Sequence, residues 1–127
     1  MPDHDPPKLT LVKHERYLEA LIGSSTVNNQ EVLRQLEDLV AQVAERKPER
    51  LLLDFRAASL TVWTTLDRYA LGVLGGRLAA YVNRAVCLAP AELIDPQKFG
   101  TQVAQNRGLK VEIFSDEVEA LRWLLEA

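Results

Sequence analysis

Few residues in this chain have the chemical capacity for catalysis or metal binding. There are two histidines and one cysteine. His4 stands in an acidic, proline-rich start and His14 in the turn of an expected hairpin. Neither reaches a point where a strand runs into a helix, so no nucleophile triad can be assembled around them. One cysteine with two distant histidines makes no closed metal-ligand set, and no metal or cofactor is expected. Cys87 sits in mid-strand among Ala85, Val86 and Leu88, where a free thiol packs as a small hydrophobe. Gly72, Gly75 and Gly76 look superficially like a phosphate loop, but no strand precedes them and no Lys-Ser/Thr follows. They fall inside a helical pattern, where each costs about 1 kcal/mol relative to alanine. Two readings follow: close approach of a neighbouring element, or a bulky ligand or partner helix lying on that face.

Two aspartates hold more promising positions. Asp54 ends the apolar run Leu51-Leu52-Leu53, at the sheet edge where α/β proteins place their sites. Asp95, with Pro90, follows the next strand and belongs to the same edge. Each would either satisfy nearby backbone N–H groups or act as a base, and a base would need a second polar group that the sequence does not identify. The loop Arg56-Ala57-Ala58-Ser59-Leu60-Thr61-Val62-Trp63 then delivers an aromatic residue to a helix N-terminus. Free N–H groups and a positive field there would favour a phosphate or a phosphorylated side chain. Trp63 is either a core-edge residue or an anchor for a partner, since tryptophan is enriched in binding hot spots.

The whole chain narrows the classes further. Its 127 residues suit one domain, and 47% are apolar, enough to build a core without disulfides. Eighteen acids against fifteen bases give a net charge of −3, which argues against a nucleic-acid partner. The start, Met1-Pro2-Asp3-His4-Asp5-Pro6-Pro7, lacks the basic and apolar stretches of a signal peptide. No apolar run approaches the length that spans a bilayer, so no membrane insertion is expected. The expectation is a cytoplasmic protein with a flexible tail over 1–8 and one domain over 9–127.

Hydrophobic spacing predicts the elements that must position these residues. A hairpin is expected over about 9–14 and 17–22. Val32, Leu36, Leu39, Val40 and Val43 mark a helix from Asn28 to Lys47, capped by Asn28 with Glu31 and stopped by Pro48. Leu51–Leu53 and Ala85–Ala89 read as strands covered on both faces, and Val111–Phe114 as an edge strand. Further helices are expected over about 64–81, from Asp95-Pro96 to Gly108, and from Ser115-Asp116 onward, with Thr64 placed to cap the first of them. The order is β-β-α-β-α-β-α-β-α: an α/β fold of about five strands, the later ones parallel, with four main helices.

The stretches Phe99-Gly100, Asn106-Arg107-Gly108-Leu109, Val111-Glu112-Ile113-Phe114-Ser115-Asp116-Glu117 and Glu119-Ala120-Leu121-Arg122-Trp123-Leu124 resemble the SpoIIAA-like branch of the STAS superfamily, the anti-sigma-factor antagonists and their bacterial relatives. The resemblance implies a small cytoplasmic domain that binds a protein or a small molecule. In the antagonists a strand ends in Asp, and a loop leads to Asp-Ser-Ser-Gly-Leu at a helix start, whose second Ser is phosphorylated. Here the strand ends at Asp54 and the corresponding stretch is Val62-Trp63-Thr64-Thr65-Leu66. Thr64 falls at the phospho-acceptor position, while Val62, Trp63 and Thr65 replace the Asp, the first Ser and the Gly. Other relatives look like binders of apolar ligands.

These readings imply a non-catalytic regulatory module whose partner surface comprises Asp54, Ser59, Trp63, Thr64, Thr65, Arg68 and Tyr69. The alternative is a carrier or sensor of a small apolar or amphipathic ligand, with Trp63, Tyr69 and the glycine-bearing helix around a cavity of a few hundred Å³. An enzyme using Asp54 or Asp95 is the third reading. An exposed Trp123 on the last helix would point to a homodimer, and a buried one to ordinary packing.

Overall fold

The computed structural model describes residues 8–24, 26–58 and 63–126. Most of the expected tail, together with Ser59 and Val62, lies outside the described residues. The elements are β1 (Thr10–Lys13), β2 (Leu18–Leu21), α1 (Asn29–Arg46), β3 (Arg50–Asp54), α2 (Thr65–Arg77), β4 (Arg84–Leu88), α3 (Phe99–Asn106), β5 (Val111–Phe114) and α4 (Glu117–Leu125). They occur in the expected order. The five strands form one sheet in the order β1-β2-β3-β4-β5, with β1 antiparallel to β2 and the other neighbours parallel.

Because every parallel crossover steps in the same direction, right-handed connections put α1, α2 and α3 on one face of the sheet. The packing agrees. Leu51 and Leu53 join Val32, Leu36, Leu39 and Leu74 in the larger core. Leu52 joins Val86, Leu88, Ala120 and Leu124 beneath α4 on the other face. Three consecutive leucines are thus shared between two cores by the two-residue period of the strand.

The caps follow from local chemistry. Asn28 accepts the backbone N–H of Glu31 at 3.0 Å, and the Glu31 carboxylate accepts that of Val27 at 2.9 Å. Thr64 and Asp67 close a full capping box, each side chain accepting the other's backbone N–H at 3.1 Å. Asp116 accepts from Glu119 to start α4.

Two boundaries differ from expectation. The third helix begins at Phe99 rather than at Asp95-Pro96. Asp95 instead accepts from the backbone of Gln97 at 3.1 Å and of Phe99 at 3.0 Å, closing a turn ahead of the helix, and Lys98 takes a left-handed φ of 51°. The second helix ends at Arg77, and Leu78–Ala80 continue as a tighter 3₁₀ turn. Gly108, with φ +98°, ends the α3 segment in the left-handed conformation expected of it.

At Gly72 and Gly76 the close-approach reading holds. A Cβ on Gly72 would lie 2.5 Å from Val103 Cβ and 2.6 Å from the Gly100 carbonyl oxygen, and one on Gly76 2.6 Å from Arg107 Cδ. They let α2 lie directly on α3. Trp123 is half-buried, tilted against Phe114 with ring centres 6.5 Å apart, and the Arg84 guanidinium sits 4.1 Å from its ring centre. Ordinary packing within the chain accounts for it.

Candidate functional site

Small side chains on the inner face of α2 and on α3 leave space above the sheet. Gly75, unlike Gly72, has only Ala104 nearby, with 3.5 Å between the position of its missing Cβ and the alanine Cβ. A cavity of about 140 Å³ opens between α2, α3 and the sheet. Its floor includes Leu53, Cys87 and Val111 from three neighbouring strands, and its walls include Leu71, Gly72, Ala104, Phe55 and Trp63. Arg68, Asp95 and Lys98 border it where it nears solvent. The Arg68 Nε lies 3.9 Å from Asp95 Oδ2, and the Lys98 Nζ 3.7 Å from Glu112 Oε2. The backbone N–H groups of Phe99 and Gln97 hold the Asp95 carboxyl below its usual range, and the charge of Arg68 reinforces them.

Trp63 is the unusual member of this lining. It is 8% exposed and belongs to the main core. Its indole Nε1 is buried and has no hydrogen-bond partner among the described residues. An unmet buried donor costs roughly 1–3 kcal/mol, and native structures rarely leave one. Cys87 is only partly covered, but the space it borders is this cavity. Burial, reinforced by Glu112, pushes its thiol up to about 12.

The remaining expected residues divide between two places. Thr64, Thr65, Leu66 and Tyr69 stand on the outer side of the first turns of α2, with Leu66 76% and Tyr69 44% exposed. The Thr64 hydroxyl accepts the N–H of Asp67. The Tyr69 hydroxyl meets an Arg107 donor at 3.3 Å. Asp54 belongs to neither this surface nor the cavity. Two residues on from Leu52, it points to the α4 side of the sheet, and it is 6% exposed.

There it accepts the Arg56 backbone N–H at 3.0 Å and side-chain donors at 3.1 and 2.9 Å. Burial pushes the Asp54 carboxyl up, but the hydrogen bonds and charge of Arg56 outweigh it, and the net effect is a lowered value. Arg56 also lies 3.6 Å from Glu117. Nearby, His14 stacks on Tyr17 with ring centres 4.3 Å apart and meets Glu19 Oε1 at 2.8 Å. Burial and the charges of Glu19 and Glu117 raise the Tyr17 hydroxyl. Reading His14 only as a hairpin-turn residue missed this cluster. The available signal was Glu19, which alternates with Leu18 and Ala20 and so must face away from the main core.

Among the described residues, no group of three or more His, Cys, Asp and Glu is arranged to hold a metal ion. No helix among them is long and apolar enough to cross a membrane.

No family model and no curated protein matches this chain. Among solved structures, it is similar to an uncharacterized protein of the DUF3478 family with a SpoIIAA-like fold, from Shewanella loihica PV-4. The two superpose with a TM-score of 0.51 and 19% identity, covering 91% of each chain. The chain therefore has a SpoIIAA-like fold, as its C-terminal stretches implied.

Proposed function

We propose that this protein is a non-catalytic binding module that holds a small, largely apolar molecule beneath α2, as a carrier or sensor. The observation that carries this reading is the 140 Å³ cavity with a lining almost wholly of hydrocarbon. It is smaller than the few hundred Å³ expected, yet comparable to cavities that accept benzene. Asp54 commits its oxygens to Arg56 and Asp95 to the backbone of Gln97 and Phe99, which does not support either as a base.

The test is thermal unfolding with and without saturating toluene. The wild type should gain several degrees of Tm with the ligand. Cys87→Leu, which fills the floor of the cavity, should gain none. Equal response of both proteins, or of neither, would sink the reading.

A second reading, a protein-docking surface on the outside of α2, is favoured by one observation. Leu66 is 76% exposed beside Thr64 and Thr65, and Tyr69 is exposed one turn on. In this reading Leu66 takes the anchoring role expected of Trp63. The two readings are compatible, because one helix carries the cavity on its inner face and this surface on its outer face.

A further inference from the structure

We infer that the molecule held beneath α2 is an amphipathic acid, with an apolar body in the cavity and one anionic head, of carboxylate type, at the mouth beside Arg68 and Lys98. This rests on the cavity being a binding site and adds the class of its occupant. The charged residues of the lining are Arg68, Asp95 and Lys98, and they gather in one place. Asp95 joins the two cations: its backbone carbonyl accepts the N–H of Lys98 at 2.9 Å, and its carboxylate lies 3.9 Å from Arg68 Nε. A molecule that fills the space with hydrocarbon therefore meets charge in one direction only.

The sign of the head follows from which of these groups are already engaged. The two Asp95 oxygens accept backbone N–H groups, from Gln97 at 3.1 Å and Phe99 at 3.0 Å. The cations are held more loosely. Arg68 Nε to Asp95 at 3.9 Å and Lys98 Nζ to Glu112 at 3.7 Å are both longer than a hydrogen bond. The guanidinium and the ammonium thus keep donors for a further carboxylate, which a guanidinium can meet with two parallel bonds. Both side chains are partly exposed, so the head stays in contact with water and the cost of burying a charge does not arise.

Lys98 supplies an independent argument. It stands at the N-cap of α3 with φ 51° and ψ 43°, and its side chain makes no capping bond. Asn or Gly would suit both the left-handed backbone and the cap better. A cation beside a helix N-terminus also opposes the helix dipole. Lysine is a poor choice for local structure, and what it contributes is a positive charge at the cavity mouth.

3-Phenylpropionate, 3-phenylpropanol and 3-phenylpropylamine share a body built on benzene, the size of molecule such a space accepts. At pH 7 their heads are anionic, neutral and cationic. Binding of each to the whole chain is followed by NMR, through the methyl resonances of the lining leucines, isoleucines and valines. The acid should bind about tenfold more tightly than the alcohol, the ratio that two partly exposed charge pairs supply together. The amine should bind most weakly. The advantage of the acid should shrink in about 0.5 M sodium chloride, which screens exposed charges. Arg68→Gln combined with Lys98→Asn, the latter suited to the left-handed backbone, should erase the preference while the alcohol still binds.

Equal affinities for acid and alcohol in the wild type would overturn the anionic head, and so would tightest binding by the amine. A preference for the acid that survives in the double variant would overturn the assignment to Arg68 and Lys98. If toluene moves the lining methyl resonances and none of the three probes does, the inference fails while the proposed function stands. If toluene does not move them either, the proposed function itself falls. The comparison of the three heads in the wild type stands alone should the double variant not fold.

Discussion

Gly72 and Val103 are packed so closely that no side chain can stand between them: a Cβ on the glycine would lie 2.5 Å from that of the valine. Gly75, one turn along the same helix, has 3.5 Å to its nearest neighbour, an ordinary contact. The two positions should respond oppositely to alanine. Gly72→Ala must push α2 off the Gly100 carbonyl and should destabilise by about 1–3 kcal/mol, more than its gain in helix propensity returns. Gly75→Ala should be neutral or stabilise by up to about 1 kcal/mol. Urea unfolding of both variants checks the contrast. Destabilisation by both would mean that the helices cannot shift at all.

The capping box of Thr64 and Asp67 starts the helix that roofs the cavity. Thr64→Ala removes the acceptor for the Asp67 N–H and should cost about 1 kcal/mol, while Thr64→Ser should cost little. Should Thr64→Ala leave stability unchanged in chemical denaturation, the cap has no energetic role. Thr64 would then be free of structural constraint.

The fold was legible in the chain because its cues are local and mutually consistent. Asn28 with Glu31, Thr64 with Asp67, and Gly108 mark helix ends within a few residues of the structural ones, and Leu51–Leu53 reads as a strand covered on both faces. The start of α3 was misread because Asp95-Pro96 satisfies the rule for a helix start, whereas in the fold the aspartate closes the preceding turn. The candidate site was only partly legible. Trp63 and Arg68 were identified, but Trp63 is buried in a core cluster that Leu36, Leu53 and Leu78 join from different elements. Asp54 was grouped with Trp63 because both lie at the same sheet edge. The strand's alternation sends its carboxylate to the opposite face, beside Arg56.

That ion pair gives stability a defined pH dependence. The folded value for Asp54 lies below its ordinary one. The carboxylate's contribution is therefore complete above the unfolded pKa of about 3.9, and is lost as the pH falls through the lower folded value. In Arg56→Ala the two side-chain hydrogen bonds and the charge are gone, while burial and the hydrogen bond from the backbone N–H of residue 56 remain, so the folded value should rise. The acid-side loss of stability that Asp54 causes in the wild type should then shrink, and it reverses once the folded value exceeds the unfolded one. At pH 7 the variant should lose roughly 1–3 kcal/mol. Urea midpoints from pH 3 to 7 for both proteins test this. Parallel curves would show that Arg56 does not govern the Asp54 carboxyl.

Cys87 reports on the cavity. With its thiol pushed to about 12, almost no thiolate exists at pH 8, and thiolate is the reactive form. Reaction with a disulfide reagent such as DTNB should be at least a hundredfold slower in the folded protein than in urea. A saturating apolar ligand should slow it further by covering the sulfur. Fast labelling of the native protein would place Cys87 in contact with bulk solvent rather than with the apolar cavity.

Leu66 separates the outer surface of α2 from its inner one. At 76% exposure it contributes little to the core, so Leu66→Lys should change stability by no more than about 0.5 kcal/mol. Toluene should still raise the Tm of this variant as it does that of the wild type, because the side chain does not line the cavity. If the outer surface docks a protein, the same substitution places a charge at the centre of the contact and should weaken association at least tenfold. A pull-down from the native host, quantified by mass spectrometry with wild type and variant in parallel, supplies the readout. A partner retained equally by both would move docking away from Leu66, leaving the inner cavity as the functional part of α2. A partner lost from the variant, with the ligand response intact, would establish that one helix serves both faces.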